Sequence, residues 1–268
     1  MTGALLAVGW GLRGMAGNLA VLLAMLVVAA VCHRVLRLRP LQPAAARRDV
    51  RAYEWRCALL TLLVGGVITT ITVASIQRGL ITLRLDPASP ATVLGEFALY
   101  FVCYDLYAYG THWLLHRPPL FRLAHRVHHR SVRPNPVTTY SSHPIEATMT
   151  GSFLLLFMLS VPLHLTSVFV MSGFAVTNSL LAHLGFDPFP SWWHRARLTR
   201  WYVTPRYHDA HHATGVGNLG FYTTLWDRVF GTIRPEFDPR AGVRTPAPDV
   251  TFAADTSYAA QEGRSHAQ

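Results

Sequence analysis

The stretch Met15–Cys32, MAGNLAVLLAMLVVAAVC, contains no charged residue, and Asn18 is its only strongly polar side chain. A helix needs about 20 consecutive apolar residues to cross a bilayer, and the apolar segment Ala4–Trp10 extends this stretch toward the N-terminus. The pattern predicts a membrane-spanning helix. Because Met1–Gly3 lacks the positive charges of a signal peptide, we expect this helix to be retained.

The composition supports a membrane protein. Hydrophobic residues make up 51% of the 268 residues and charged residues only 14%, whereas soluble domains carry about a quarter charged residues. The formal net charge is +10, and all 24 basic residues are arginine, a usage typical of GC-rich bacterial genomes. No basic helix or aromatic-basic recognition pattern is present, so we expect no nucleic-acid partner.

Arginine counting gives the orientation of the chain in the membrane. A second uncharged apolar run covers Cys57–Ile76, and the segment His33–Arg56 before it contains seven arginines. The connection after this run carries only Arg78 and Arg84. Because cytoplasmic loops are enriched in basic residues, the first loop is predicted to face the cytoplasm, in a bacterial inner membrane.

Two further apolar regions complete the predicted architecture. A third helix is expected from near Ala91 to about His116, running inward. The long apolar run Ala147–Phe186 is interrupted by Pro162 and His164, which favours a hairpin of two half-helices because proline breaks the helical hydrogen-bond ladder. The sequence therefore predicts an all-α integral membrane bundle, with about three spanning helices plus a helical hairpin, capped by a cytosolic histidine-rich helical region.

The chain has 14 histidines, and eight of them are regularly spaced. Residues three or four apart share one face of a helix, and neutral imidazole is a good ligand for iron, zinc and copper. Unligated imidazoles brought together would repel one another when protonated, and metal binding relieves that repulsion. Eight of the histidines form three groups on the predicted cytoplasmic side: His112 and His116; His125, His128 and His129; and His208, His211 and His212.

The number of histidines favours two metal ions. A zinc hydrolase usually places a carboxylate base among its ligands, as in H-E-x-x-H, and Asp209, inside the third group, is expected to point away from the ligand face. Eight ligands also exceed the needs of one zinc ion with an open position. Two irons beside a bilayer would suit O2-dependent attack on an unreactive C–H bond. A metal-transport or metal-storage membrane protein and a zinc-dependent membrane hydrolase remain alternatives.

The three histidine groups, in this order, resemble the histidine boxes of the fatty acid hydroxylase/sterol desaturase superfamily. The resemblance covers roughly Leu94 to Pro235 and extends to the residues around the boxes. These residues are Asp105 with Tyr109, His143-Pro144-x-Glu146, Thr204-Pro205, Asn218-Leu219-Gly220 and Leu225-Trp226-Asp227.

The resemblance implies a di-iron centre, O2 as co-substrate, a lipid substrate from the bilayer and electrons from an external donor. It implies two further ligands, His143 and His183. Ligating histidines usually donate their second N–H to a carboxylate or carbonyl, and four acids are candidates for this supporting catalytic role: Asp105, Glu146, Asp209 and Asp227.

The electron donor is expected to be a separate protein, because the chain has no haem-binding His-Pro-Gly-Gly stretch. Four arginines are candidates for docking an acidic ferredoxin or a cytochrome, or for facing anionic lipid: Arg195, Arg197, Arg200 and Arg206. Hydroxylation and desaturation both remain open, as does the class of lipid.

Three regions are expected along the chain. Residues 1–90 hold the N-terminal membrane helices and the basic loop, and residues 91–235 form the catalytic domain similar to this superfamily. Residues 236–268 are rich in Ala, Pro, Asp and Ser, a composition typical of a disordered tail.

Overall fold

The computed structural model describes residues 2–35, 37–42 and 51–237. Most of these residues are helical. The described residues contain one sheet, which has two short strands. The helices and strands are α1 (Thr2–Val35), α2 (Arg51–Gln77), β1 (Leu83–Arg84), α3 (Pro90–Leu115), α4 (Pro118–Leu120), α5 (Arg126–His129), α6 (Pro144–Gly151), α7 (Phe153–Ser160), β2 (Leu163–His164), α8 (Leu165–Ala182), α9 (Pro205–Thr214) and α10 (Leu225–Val229).

Three of these helices, α1, α2 and α8, are long and apolar enough to cross a membrane. This confirms the predicted all-α bundle of membrane type. Helices α1 and α2 pack closely because small residues face each other where they meet. A Cβ atom on Gly11 would lie 2.7 Å from the carbonyl oxygen of Gly66, so only glycine permits this approach of the two backbones.

Helix α3 has the bounds that the sequence predicts, but its composition differs from that of a lipid-facing span. Ser89 caps its N-terminus by accepting a hydrogen bond from the Thr92 N–H at 3.1 Å, and Pro90 occupies its first turn. The helix has 26 residues, but it is not among the three helices that are apolar enough to cross a membrane, and it buries polar side chains such as Asp105 and His112. The third apolar span is α8 instead.

The predicted hairpin is present, and its break lies at the end of the bundle away from the histidine boxes. Helix α7 ends at Ser160, and β2 pairs in parallel with β1, which places Leu163 opposite Leu83. At this break the buried His164 ring places its Nδ1 atom 2.8 Å from the Glu96 carboxylate. The break therefore lies beside the connection between α2 and α3.

The described part of the connection between α1 and α2, residues 37–42, reaches the histidine end of the bundle. The Leu41 N–H donates to the Gly185 carbonyl at 3.0 Å, and the Gln42 amide donates to the Val132 carbonyl at 2.8 Å. The arrangement agrees with the arginine count, which predicts the basic loop and the histidines on one side. Residue 36, residues 43–50 and residues 238–268, which include most of the predicted disordered tail, lie outside the described residues.

Candidate metal centre

Nine histidines converge in two adjoining clusters, and within each cluster the candidate ligand nitrogens all lie within 4.8 Å of one another. Among the described residues, no cysteine or carboxylate joins either cluster. All nine rings are buried except that of His116, which is partly exposed. The five-histidine cluster contains His112, His116, His125, His129 and His211, and the four-histidine cluster contains His128, His183, His208 and His212.

Four Nε2 atoms of the five-histidine cluster form a closed ring. The Nε2–Nε2 distances are 3.1 Å for His116–His125, 3.1 Å for His125–His129, 3.1 Å for His129–His211 and 3.2 Å for His211–His116. The centre of such a ring lies about 1.9 Å from each corner if it is fully puckered and about 2.2 Å if it is flat, which brackets the usual metal–imidazole distance. The ring therefore has the size that a metal ion requires.

The four-histidine cluster is built in the same way. The Nε2 atom of His183 lies 3.4 Å from that of His128 and 3.0 Å from that of His208, and the Nε2 atoms of His208 and His212 are 3.1 Å apart. The rings of His212 and His129 have centroids 4.9 Å apart, so the two clusters are in contact. The three histidine boxes thus converge in two adjoining clusters rather than on separate surfaces.

The second nitrogen of most rings is fixed by a backbone carbonyl. A carbonyl oxygen can only accept, so the proton must sit on Nδ1, which leaves the Nε2 lone pair directed into the cluster. Without a cation, bare lone pairs about 3 Å apart would repel one another. The pairs are His112 with Leu219 (2.9 Å), His128 with Ser141 (3.3 Å), His183 with Ser179 (2.8 Å), His211 with Gly217 (2.7 Å) and His212 with Ser131 (3.0 Å).

The two H-x-x-H-H boxes lie on short helical segments. The second box begins in a π-helical turn, Phe121–His125, that continues into α5, and π-turns occur often at functional sites. The third box lies on α9, which starts at the N-cap Thr204 and stops at Gly215, where φ is 67° and glycine is favoured.

Each H-x-x-H-H box contributes to both clusters. The first and last histidines, one helical turn apart, serve one cluster, whereas the histidine between them points to the other. The two boxes assign their histidines to the two clusters in opposite ways. His125 and His129 join the five-histidine cluster and His128 the other, whereas His208 and His212 join the four-histidine cluster and His211 the other.

Burial keeps these imidazoles neutral. Desolvation lowers the pKa of His125 to about 3, and desolvation together with the neighbouring rings lowers the pKa of His128 to about 3 and that of His183 to about 4. Burial also holds the pKa of His211 and His212 well below the usual value. At neutral pH the lone pairs are therefore available for a metal ion.

Two of the four predicted supporting acids contact a clustered histidine or the residue whose carbonyl orients one. A carboxylate oxygen of the buried Glu146 lies 3.0 Å from Nδ1 of His125, and burial raises the pKa of Glu146 to about 6. Asp227 accepts hydrogen bonds from the N–H groups of Leu219 at 2.8 Å and Gly220 at 2.6 Å. It thereby fixes the carbonyl that orients His112.

The structure does not bring three of the predicted residues to the histidines. His143 lies outside both clusters because its Nδ1 atom accepts the Ile145 N–H at 3.2 Å and caps α6. The Asp105 carboxylate accepts hydrogen bonds from Tyr222 and Thr223, at the far end of the loop between α9 and α10, and not from a clustered histidine. Asp209 points away from the clusters and accepts from the Gln42 amide at 3.1 Å. The placement of Asp209 agrees with the expectation that it points away from the ligand face, and the roles predicted for His143 and Asp105 stay predictions.

Sequence reasoning missed the backbone carbonyls that orient the rings, because a carbonyl leaves no residue-type signal. A local signal exists only around Gly217 and Asn218, which both have positive φ. Glycine and asparagine are the residues that best tolerate this conformation. Their succession after the third box indicates a strained loop whose carbonyls turn toward α9.

Comparison of the sequence with models of protein families gives one match. The model of the fatty acid hydroxylase family matches residues 97–232, slightly more than half of the chain. The chain belongs to the fatty acid hydroxylase family. This confirms the resemblance noted from the histidine boxes, and the match contains all nine clustered histidines.

Relatives of this fatty acid hydroxylase family member include methylsterol monooxygenases. Methylsterol monooxygenase erg25A of Aspergillus fumigatus is 26% identical over 191 residues, which are 68% of this chain and 62% of the relative. Methylsterol monooxygenase 1 of Gallus gallus is 29% identical over 128 residues, which are 48% of this chain and 42% of the relative. The chain thus spans roughly half the length of these curated relatives. No solved structure matches it.

Proposed function

We propose that this protein is a membrane-bound oxidoreductase that uses O2 to hydroxylate an unactivated C–H bond of a lipid, with a pair of iron ions held by the nine clustered histidines. The observation that carries the proposal is the convergence of nine buried imidazoles in two adjoining clusters. Desaturation of the same lipid is the alternative outcome of the same chemistry.

The donor set suits iron better than zinc. Zinc sites are usually four-coordinate, and catalytic zinc sites have three protein ligands, whereas one cluster here offers five nitrogens. Nitrogen-rich sites with higher coordination numbers and open positions are typical of non-haem iron. When bound, the iron pair would supply the activation of O2, which no amino-acid side chain provides.

The protein's own residues would position the metal ligands and restrict access to them. The carbonyls and Glu146 fix the rings, and burial of eight of the nine rings excludes water. Access is easiest at His116, the one partly exposed ring, where the Phe121 ring lies 5.6 Å from the imidazole between ring centroids. We infer that the lipid approaches from this edge.

The lipid class follows from the relatives and from the bundle. The relatives carry the name methylsterol monooxygenase, and the three apolar helices support a substrate drawn from the bilayer. We therefore propose a sterol-like or fatty-acyl lipid, with a site that faces the cytoplasm of a bacterial inner membrane. Arg195 and Arg197 are exposed and are candidates for docking a ferredoxin or cytochrome donor.

Two observations weigh against the other hypotheses. A metal transporter would need ligands along its membrane helices, but α1, α2 and α8 contain no histidine other than His33, in the last turn of α1. A zinc hydrolase would need a carboxylate base at the metal, but both clusters consist of histidine alone within the described part of the chain.

The proposal is tested with purified protein in detergent or nanodiscs. We expect two irons per chain and, with a ferredoxin reductase system and a lipid extract, a product that carries one oxygen atom from isotopically labelled O2. Loss of two hydrogens without label would indicate desaturation. A single zinc per chain with turnover in the absence of O2 would overturn the proposal, and His128→Ala serves as the inactive control.

A further inference from the structure

The first turn of α2 carries a buried carboxylate, Glu54, which lies outside the region matched by the family model. Its side chain is only 2% exposed. A buried carboxylate is costly unless hydrogen bonds satisfy its oxygens. Three side chains of the segment that follows the second histidine box provide them: Ser131 Oγ at 2.6 Å, Asn135 Nδ2 at 3.0 Å from each carboxylate oxygen, and Thr138 Oγ1 at 3.3 Å.

This segment is the one that orients two rings of the four-histidine cluster. The Ser131 carbonyl accepts the Nδ1–H of His212 at 3.0 Å, and the Ser141 carbonyl accepts that of His128 at 3.3 Å. Glu54 contacts the segment at its start, through Ser131, and in its middle, through Asn135 and Thr138. Its carboxylate therefore sets the position of both carbonyls.

The segment is also stiff between these points, so a shift at one contact is transmitted to the other. Asn135 caps the 3-10 helix Pro136–Tyr140, since its side chain accepts the Val137 N–H at 3.0 Å. The Ser141 N–H donates to the Thr138 carbonyl at 2.9 Å, which closes the last turn. The contacts of Glu54 thus reach Ser141 through a continuous hydrogen-bonded turn.

We propose that Glu54 is a positioning residue for the four-histidine cluster. Helix α2, which packs with α1 as the first helix pair, would then help to orient the metal-binding histidines as well as span the membrane. This inference rests on the proposed function, because it concerns a metal at these histidines. Glu54 touches no histidine, and its effect passes through Ser131 and the turn that ends at Ser141.

The test is a Co²⁺ titration of the purified full-length protein, followed by visible absorption. The wild type should bind two ions, and the absorption lost in His212→Ala identifies the four-histidine cluster. In Glu54→Gln an amide would face the Asn135 amide, two donors in opposition. We expect the dissociation constant of the four-histidine cluster to rise 10–100-fold, the range for loss of an outer hydrogen-bond partner, with the other cluster unchanged.

A rescue variant and a matched control sharpen the experiment. In Glu54→Gln with Asn135→Asp the carboxylate and the amide exchange places, which restores the pairing and should restore cobalt binding. Glu96→Gln removes a carboxylate bonded to a histidine at the far end of the bundle, and it should leave both dissociation constants unchanged. Should Glu54→Gln not fold, Ser131→Ala removes a single contact of Glu54 and is expected to weaken the same cluster.

The outcomes separate this inference from the proposed function. If the wild type binds no metal, the proposed function fails and this inference falls with it. If the wild type binds two ions and folded Glu54→Gln or Ser131→Ala titrates as the wild type does, the positioning role of Glu54 alone is wrong. Loss of both clusters together in Glu54→Gln, without rescue by Asn135→Asp, would also overturn it, because that result indicates general destabilisation.

Discussion

The two clusters contain similar rings but are supported differently. In the five-histidine cluster a carboxylate, Glu146, lies 3.0 Å from His125, and two carbonyls of the loop after α9 hold His112 and His211. In the four-histidine cluster the observed partners are backbone carbonyls alone, and the segment that carries two of them is attached to the first helix pair.

The difference shows that the residues supporting the two histidine clusters come from two parts of the chain. All supports of the five-histidine cluster lie within residues 97–232, the region shared with the family. The positioning role proposed for Glu54 adds a helix outside this region to the supports of the four-histidine cluster. A carboxylate near a ligand strengthens the imidazole as a donor, whereas a carbonyl mainly orients it. We therefore expect the two sites to respond differently to substitution.

The largest effect is expected from two adjacent residues that serve different clusters. His128→Ala removes a ligand of the four-histidine cluster, and His129→Ala removes one of the five-histidine cluster. Each variant should retain about one metal per chain and lose more than about 100-fold in activity, beyond the range for loss of an outer partner. Metal analysis with product assays measures this. His143→Ala, which lies outside both clusters, is the control, and metal loss there would restore His143 as a ligand.

The next effect separates the clusters through their supports. Glu146→Gln keeps the shape of the side chain but removes the charge beside His125. We expect metal affinity to fall about 10–100-fold at the five-histidine cluster and to stay constant at the four-histidine cluster. Titrations of both sites measure this difference, and equal weakening of both sites would show that the supports are not independent.

A third prediction concerns acid. Burial lowers the pKa of His125 and of His128 to about 3 in the folded protein, whereas an unfolded histidine titrates near about 6.5. Between these values the unfolded chain binds more protons, so the unfolding free energy of the metal-free protein should fall as the pH drops from about 6.5 toward 4. Thermal unfolding in detergent checks this, and a flat profile would mean that the imidazoles are not buried together.

The smallest effect is expected away from both clusters. The Asp105 carboxylate accepts the N–H groups of Tyr222 and Thr223 at 2.9 and 3.0 Å and the Thr223 hydroxyl at 2.5 Å. Asp105→Asn keeps one acceptor oxygen and should cost about 1.5–3 kcal/mol of stability, the range for hydrogen bonds to a charged group. Metal content should not change. Its loss would give Asp105 a role at the metal centre.

Much of the fold could be predicted because apolar runs and histidine spacing are local signals. The sequence predicts two of the three apolar helices and the break between α7 and α8. It also predicts that the histidines lie at the same end of the bundle as the connection between α1 and α2. The bounds predicted for α3 are also observed, although α3 is not among the three helices that are apolar enough to count as membrane spans. Counting apolar residues did not reveal that one face of α3 buries tyrosines and Asp105, whereas Leu94 and Val102 stay exposed.

The candidate site could be predicted for the histidines but only partly for their supports. Spacing places ligands on one helix face, yet it does not show which of two clusters each ring joins. The family resemblance implies His143 as a ligand, whereas in the structure its side chain caps α6. Glu54 carries no motif at all. Its contacts depend on how a helix in another part of the chain packs, which only the three-dimensional structure shows.

The register of the two H-x-x-H-H boxes has a consequence for the interval between the sites. Helices α5 and α9 each present neighbouring side chains to opposite clusters, as His128 and His129 do. Covalent geometry fixes the backbone spacing between these neighbouring histidines, because consecutive Cα atoms are about 3.8 Å apart. Changes in the surrounding loops can tilt an imidazole, but they do not change the backbone spacing between the two histidines. Loop sequences can therefore vary while this spacing stays the same.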